Sequence, residues 1–281
     1  MSPVHDQSYR RYQGKREPHG RGWLVIAGAG MRAVLAKKMF LGLLLLAWLP
    51  FLVRTVQIYA VTMYPQAGEV VPVNARMFQS FVEGQGLFAF FVTIYVGAGL
   101  IANDRRANAL QVYLSKPILR IEYIAGKLAV LAIFLLGVTL LPAVLLLIMQ
   151  IVLSGSLNLL REHPTLIPAV ILASLIRVIV ASATMLALSS ISRSARYVAV
   201  MYTGVIFFAE AMYGVLSFVT GSTRVAWVSI TGNFDVVTDA IFRQAPRYET
   251  PATVSFIVLI ALVAVSVSVL ERSVRGVEIV S

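Results

Sequence analysis

No cysteine occurs anywhere in the chain. That excludes a disulfide framework, a thiolate metal site and a cysteine nucleophile. Histidine is almost as scarce: His5, His19 and His163 are the only three, and none lies in a long apolar run. A histidine-held metal or a Ser-His protease inside a membrane therefore lacks its side chains. No G-x-x-x-x-G-K-[ST] is present, because Gly126-Lys127 is followed by Leu128 and has no glycine at the upstream position. Without that loop the chain has no recognisable cradle for ATP phosphates, and it carries no catalytic or cofactor-binding set of its own. The polar N-terminus, MSPVHDQSYRRYQGKREPHGRG, has no early apolar core of the kind a cleavable signal peptide needs. No inverted repeat of the secondary-transporter type is visible. Charge is the last scarcity, at 13% of residues.

What fills the chain instead is apolar: 58% hydrophobic residues and a mean hydropathy of +0.81. Several runs approach the roughly 20 residues that cross a bilayer as a helix. The reading is an all-α, polytopic membrane protein with six spans, at about Met39–Val61, Gln85–Ala102, Leu128–Leu153, Leu166–Ile191, Tyr197–Val219 and Ala252–Leu270. Residues 1–22 read as a disordered, basic cytoplasmic tail, and residues 23–281 as one transmembrane domain. Residues 23–38 open with Trp23 and end in Lys37-Lys38, which suits a helix lying in the membrane interface. Gly28, Gly30 and Ala33 spell G-x-G-x-x-A, but so do Gly97, Gly99 and Ala102 inside a span, and no βαβ unit follows either. Pro50 sits inside the first span and predicts a kink there, and Pro142 lies inside the third.

The net charge of +11 is unevenly spread. With the N-terminus inside, Arg10, Arg11, Lys15, Arg16, Arg21, Arg32, Lys37, Lys38, Arg105, Arg106, Lys116, Arg120, Lys127, Arg193, Arg196, Arg272 and Arg275 fall on the cytoplasmic side. Only Arg76, Arg161, Arg224, Arg243 and Arg247 fall on the other. That asymmetry predicts cytoplasmic termini in a plasma (inner) membrane. The basic tail holds no recognisable nucleic-acid module. Three charges remain inside spans: Arg54, Arg177 and Glu210. A charge near the bilayer centre costs about 3 kcal/mol or more, so it faces a partner or a water-filled cavity. Arg177 and Glu210 lie at similar depth on adjacent spans joined by a short turn, which predicts an ion pair, with Arg54 as the second choice.

The longest polar interruption is Gly99–Lys127. Asn103 or Asp104 can cap a short helix in which Leu110, Tyr113 and Leu114 share one face, with Pro117 stopping it near Ser115. That helix reads as a docking knob for a soluble partner, against the simpler reading of a solvated loop that only sets topology. Asp104-Arg105-Arg106, Leu114-Ser115-Lys116-Pro117, Arg120, Tyr123 and Gly126-Lys127 resemble the cytoplasmic loop of type-2 ABC exporter permeases, L-S-x-P-x-x-R-x-x-Y-x-x-G-K. The pattern departs from the commonest one at Asp104, where relatives often have Glu, and at Ala107-Asn108, where Gly-Thr is frequent. The order of spans extends the similarity to nearly the whole chain. The resemblance implies a coupling helix containing Asp104, Arg105, Arg106, Leu110, Tyr113 and Leu114. It also implies a separate ABC-type ATPase subunit that carries ATP and Mg, and a second permease copy or paralogue.

Two further stretches carry expectations. In Gly221–Thr250, Asn233 can cap a helix whose face holds Phe234, Val237 and Ile241, with Trp227 as an interfacial anchor. Ser189, Ser190, Ser192 and Ser194 read as a turn between helices. The leading function is thus the membrane-spanning subunit of an ABC exporter. The alternatives are a proton-coupled secondary transporter using Glu210, and a membrane scaffold that recruits a soluble partner through the 104–127 loop.

Overall fold

The computed structural model describes residues 21–64, 66–109 and 119–274. Among them there are helices and turns but no strand. Six helices are long and apolar enough to cross a membrane. The first, α2 (Lys38–Met63), follows α1 (Gly22–Leu35) after a break at Ala36-Lys37. A four-residue α3 (Ala67–Val70) leads to the second span, built from α4 (Ala75–Val92), a π-helical turn (Thr93–Gly97) and α5 (Ala102–Arg106). The third span joins α6 (Arg120–Val138) to α7 (Leu140–Ser154). After the short α8 (Asn158–Glu162) come α9 (Leu166–Ile191) and α10 (Ala195–Thr220), the fourth and fifth spans. A 3-10 turn (Thr223–Val228) and α11 (Ile230–Ile241) precede the last span, α12 (Ala252–Ser273).

Local chemistry explains where these helices begin and break. Asn74 caps α4 by accepting from the Met77 N–H at 3.0 Å, so the second span starts ten residues before the apolar run does. Glu122 reaches back to the Leu119 N–H at 3.0 Å and closes the start of α6. Pro142 cannot donate to the carbonyl one turn back, and the third span breaks at Thr139. Pro50, by contrast, sits within an unbroken α2. Helices α7 and α10 end at Gly155 and Gly221, both with φ 62°, the left-handed stop that glycine adopts without a Cβ clash.

The second span is the axis of the bundle. At Gly97 it presses against Met185 of α9 and lies so near Leu131 of α6 that a Cβ would stand 2.9 Å from its Cδ2. The Thr93 hydroxyl donates to the Ala89 carbonyl at 2.6 Å, where the π turn begins. One apolar core, around Ile101, Tyr123, Leu131 and Met185, fills the end of the bundle that carries most of the cations. A second, around Phe78, Phe81, Leu146 and Val170, fills the opposite end. Helices α2 and α10 bury little of their apolar surface in the chain, and Phe208 and Phe218 of α10 point outward.

Candidate functional site

At the basic end, α5 leaves the second span and enters the charged loop. Its first N–H groups are satisfied from across the bundle. The buried Ser189 hydroxyl of α9 accepts from the Ile101 and Ala102 N–H groups, both at 3.1 Å, and donates to the Ala98 carbonyl at 2.9 Å. This corrects two expectations. Asn103 and Asp104 lie inside the helix and do not cap it, because Ser189 already supplies the oxygen. Ser189 is also no turn residue, whereas Ser192 and Ser194 do form the turn, with the Ser192 hydroxyl accepting the Ser194 N–H at 3.1 Å.

Asp104 is free of the backbone and turns to the third span. It accepts from the Tyr123 hydroxyl at 2.8 Å and pairs with Lys127 at 2.7 Å. The acid, the tyrosine and the lysine of the loop pattern therefore meet, and they staple the start of α6 to the end of α5. Gly126, beside them, lets α1 approach: a Cβ there would stand 2.9 Å from the Trp23 carbonyl oxygen. Helix α1 accordingly lies along α6. Arg105 is half-buried and Arg106 exposed; α5 ends at Arg106, and Asn108 just beyond has φ 52°, a left-handed position that asparagine tolerates and that breaks the single Asn103–Ser115 helix expected from the sequence. Leu110, Tyr113 and Leu114, the expected docking stripe, lie outside the described residues.

Toward the opposite end, α4, α9, α10 and α11, with Leu262 of α12, line a half-open cavity of about 410 Å³. Arg177 and Glu210 both line it, but they do not pair. Glu210 is engaged by α11, accepting from the Ser229 hydroxyl at 2.7 Å and the Thr231 N–H at 3.0 Å. Arg177 turns the other way. Its guanidinium fills the notch left by Gly86, donates to the Glu83 carbonyl at 3.4 Å and lies 5.2 Å from the Phe234 ring centre. The expected ion pair fails because a helix start offers Glu210 two donors. Arg54 is no substitute: it donates to Gln57 at 2.6 Å and to Ser80 at 3.2 Å. Helix α11 is itself capped by Ser229, which accepts from the Gly232 N–H at 2.6 Å. Asn233 lies inside it and donates to the Trp227 and Ser229 carbonyls, which corrects the cap expected there.

A charge cluster closes the same end of the cavity. Arg247 forks onto Glu83 at 2.6 and 3.1 Å and onto Asp239 at 2.9 to 3.1 Å, and Gln79 bridges the two acids at 2.8 and 2.5 Å. Asp235, one turn before Asp239, stands 3.9 Å from Arg247. Burial pushes the Asp235 carboxyl up to about 6; Arg247 and Arg177 oppose that shift, while Glu83 and Asp239 add to it. Sequence reading missed Glu83, Asp235, Asp239 and Arg247 because each stands outside an apolar run. The available signal was the Asp235–Asp239 spacing in the helix expected after Asn233, which stacks two acids on one face. Among the described residues no His, Asp and Glu group is arranged to hold a metal ion.

Compared with known proteins, the chain matches over residues 24–273 the family model described as ABC-2 family transporter protein. No curated protein matches it.

Proposed function

This chain belongs to the ABC-2 transporter family and is a membrane permease of an ABC transporter, and we propose that it is an exporter subunit driven by a separate ATPase. The observation that carries this reading is the Asp104–Tyr123–Lys127 staple. It joins the second and third spans on either side of the charged loop. Displacement of the loop is therefore passed to the second span, whose residues Glu83 to Thr93 line the cavity. ATP and Mg belong to the ATPase, and this chain supplies a pathway without covalent chemistry. The proposal includes cytoplasmic termini in the plasma membrane, α1 at its inner interface, and a second copy or paralogue beside the chain. Glu210 is poorly placed as a proton carrier, since one of its oxygens already holds the start of α11.

The test is a pull-down of the ATPase by the permease. Replacing Leu110 and Tyr113 by Asp puts charge on the apolar stripe and should reduce ATPase recovery at least tenfold, with unchanged membrane insertion. Normal recovery and normal stimulation of ATP hydrolysis by the double variant would sink the coupling assignment.

A further inference from the structure

The cavity has a chemistry of its own. Its walls are apolar and aromatic, with Leu87, Phe90 and Phe91 from α4, Phe207 from α10 and Phe234 from α11. About 410 Å³ falls within the roughly 300–1,000 Å³ of pockets that hold drug-sized ligands. Among the described residues, three carboxylates line it, Glu83, Glu210 and Asp235, against one cation, Arg177. The nearest residues behind that lining are Asp239 and Arg247, locked to each other and to Glu83. Four acids against two guanidiniums leave the site two negative charges in excess.

Arg177 offsets only part of this excess toward a guest. Its guanidinium is recessed in the Gly86 notch and covered by Phe234.

We propose that this cavity binds a lipophilic organic cation, an onium or protonated amine on an apolar body, with Asp235 and Glu210 as counter-charges. The proposal rests on the permease reading, because it names the class of substrate that the pathway takes. Aromatic faces stabilise such cations when water is excluded, and the acids supply the long-range attraction. An anion of the same size would meet the same apolar walls but three carboxylates.

The probes are tetraphenylphosphonium and tetraphenylborate, which share shape and size and differ in sign. Binding is measured by equilibrium dialysis on the full chain in lipid nanodiscs, without ATP or ATPase, and corrected for partition into protein-free nanodiscs. Tetraphenylphosphonium should bind saturably, at one site per chain, and tetraphenylborate should not. Asp235→Asn and Glu210→Gln keep shape and hydrogen-bonding oxygens, and each should weaken cation binding at least tenfold. Arg177→Gln should tighten it several-fold, a gain that misfolding cannot produce. Tetraphenylborate binding as well as the cation, or cation binding indifferent to both acid substitutions, overturns the proposal. An ATPase that couples normally to a chain that binds no cation refutes the cavity assignment alone. Saturable cation binding by a chain that captures no ATPase refutes the permease reading alone.

Discussion

Arg247 is the residue whose removal should expose the electrostatics of the cavity most sharply. Its Nη2 and Nη1 reach the two Glu83 oxygens at 2.6 and 3.1 Å, its Nε lies 3.0 and 3.1 Å from the Asp239 oxygens, and its Nη2 is 2.9 Å from Asp239 Oδ1. In Arg247→Gln, the Asp239 side chain, only 3% exposed, keeps just Gln79 and a backbone N–H. Removing one partner from a buried pair costs roughly 3–5 kcal/mol. Arg247 is 35% exposed, so water screens part of the interaction, and the expected loss falls to about 2–3 kcal/mol. Unfolding in mixed micelles by a denaturing-detergent titration reads this directly. Adding Asp239→Asn removes the stranded charge and should return about 1–2 kcal/mol, the coupling expected between neighbours in one network. Arg247→Lys should fall between, because an ammonium cannot fork onto two carboxylates. The penalty of Arg247→Gln should also shrink at pH 5, where Asp235 takes up a proton. Strictly additive losses for Arg247→Gln and Asp239→Asn would mean that the cluster is a surface decoration and not a clamp.

Two further outcomes follow from the same geometry. Asp235 titrates at about 6 in the fold against 3.8 as its ordinary value; as an acid with a raised value it costs stability as pH rises from about 4 to about 6. The full cost, up to about 3 kcal/mol above pH 6, should vanish in Asp235→Asn, whose unfolding free energy should be flatter across that window; an unchanged slope would assign it to another group. In this cysteine-free chain, cysteines placed at Ser156 and Thr231 should react with an impermeant reagent on intact cells, while one at Ser115 stays protected; labelling at Ser115 would invert the proposed orientation.

The spans were legible because each is a single long apolar run, and their number needs no tertiary information. The ends were less so. The second span begins at Ala75 because Asn74, Gln79 and Glu83 make a polar start to a helix, and those side chains serve a cap and a charge cluster. Read linearly, the same residues look like a loop. The loop pattern identified Asp104, Tyr123 and Lys127 without their relationship, since the contact spans 19 residues in sequence for the tyrosine. Glu210 shows the opposite failure. Depth along the helix correctly put it near Arg177, in the wall of one cavity, yet depth says nothing of rotation about the helix axis. Two donors at the start of α11 were closer, and no periodicity reveals a helix end folded back from another segment.

The second span connects the two places where function is proposed. One end carries Asp104, fixed to the third span; the other carries Glu83, fixed through Arg247 to α11. A straight α-helix between two such anchors would move only as a rod. The π turn at Thr93–Gly97 interrupts it beside the cavity, and a π ladder is shorter by one bond than the α ladder it replaces. Converting it to α-helix would rotate and shift every residue on one side relative to the other. If the loop takes force from an ATPase, that turn is where the force can change the cavity without first breaking either anchor. Gly97, wedged against Met185 and Leu131, lies on the basic-end side of the turn, and Gly86 to Thr93, on its other side, include residues that line the cavity.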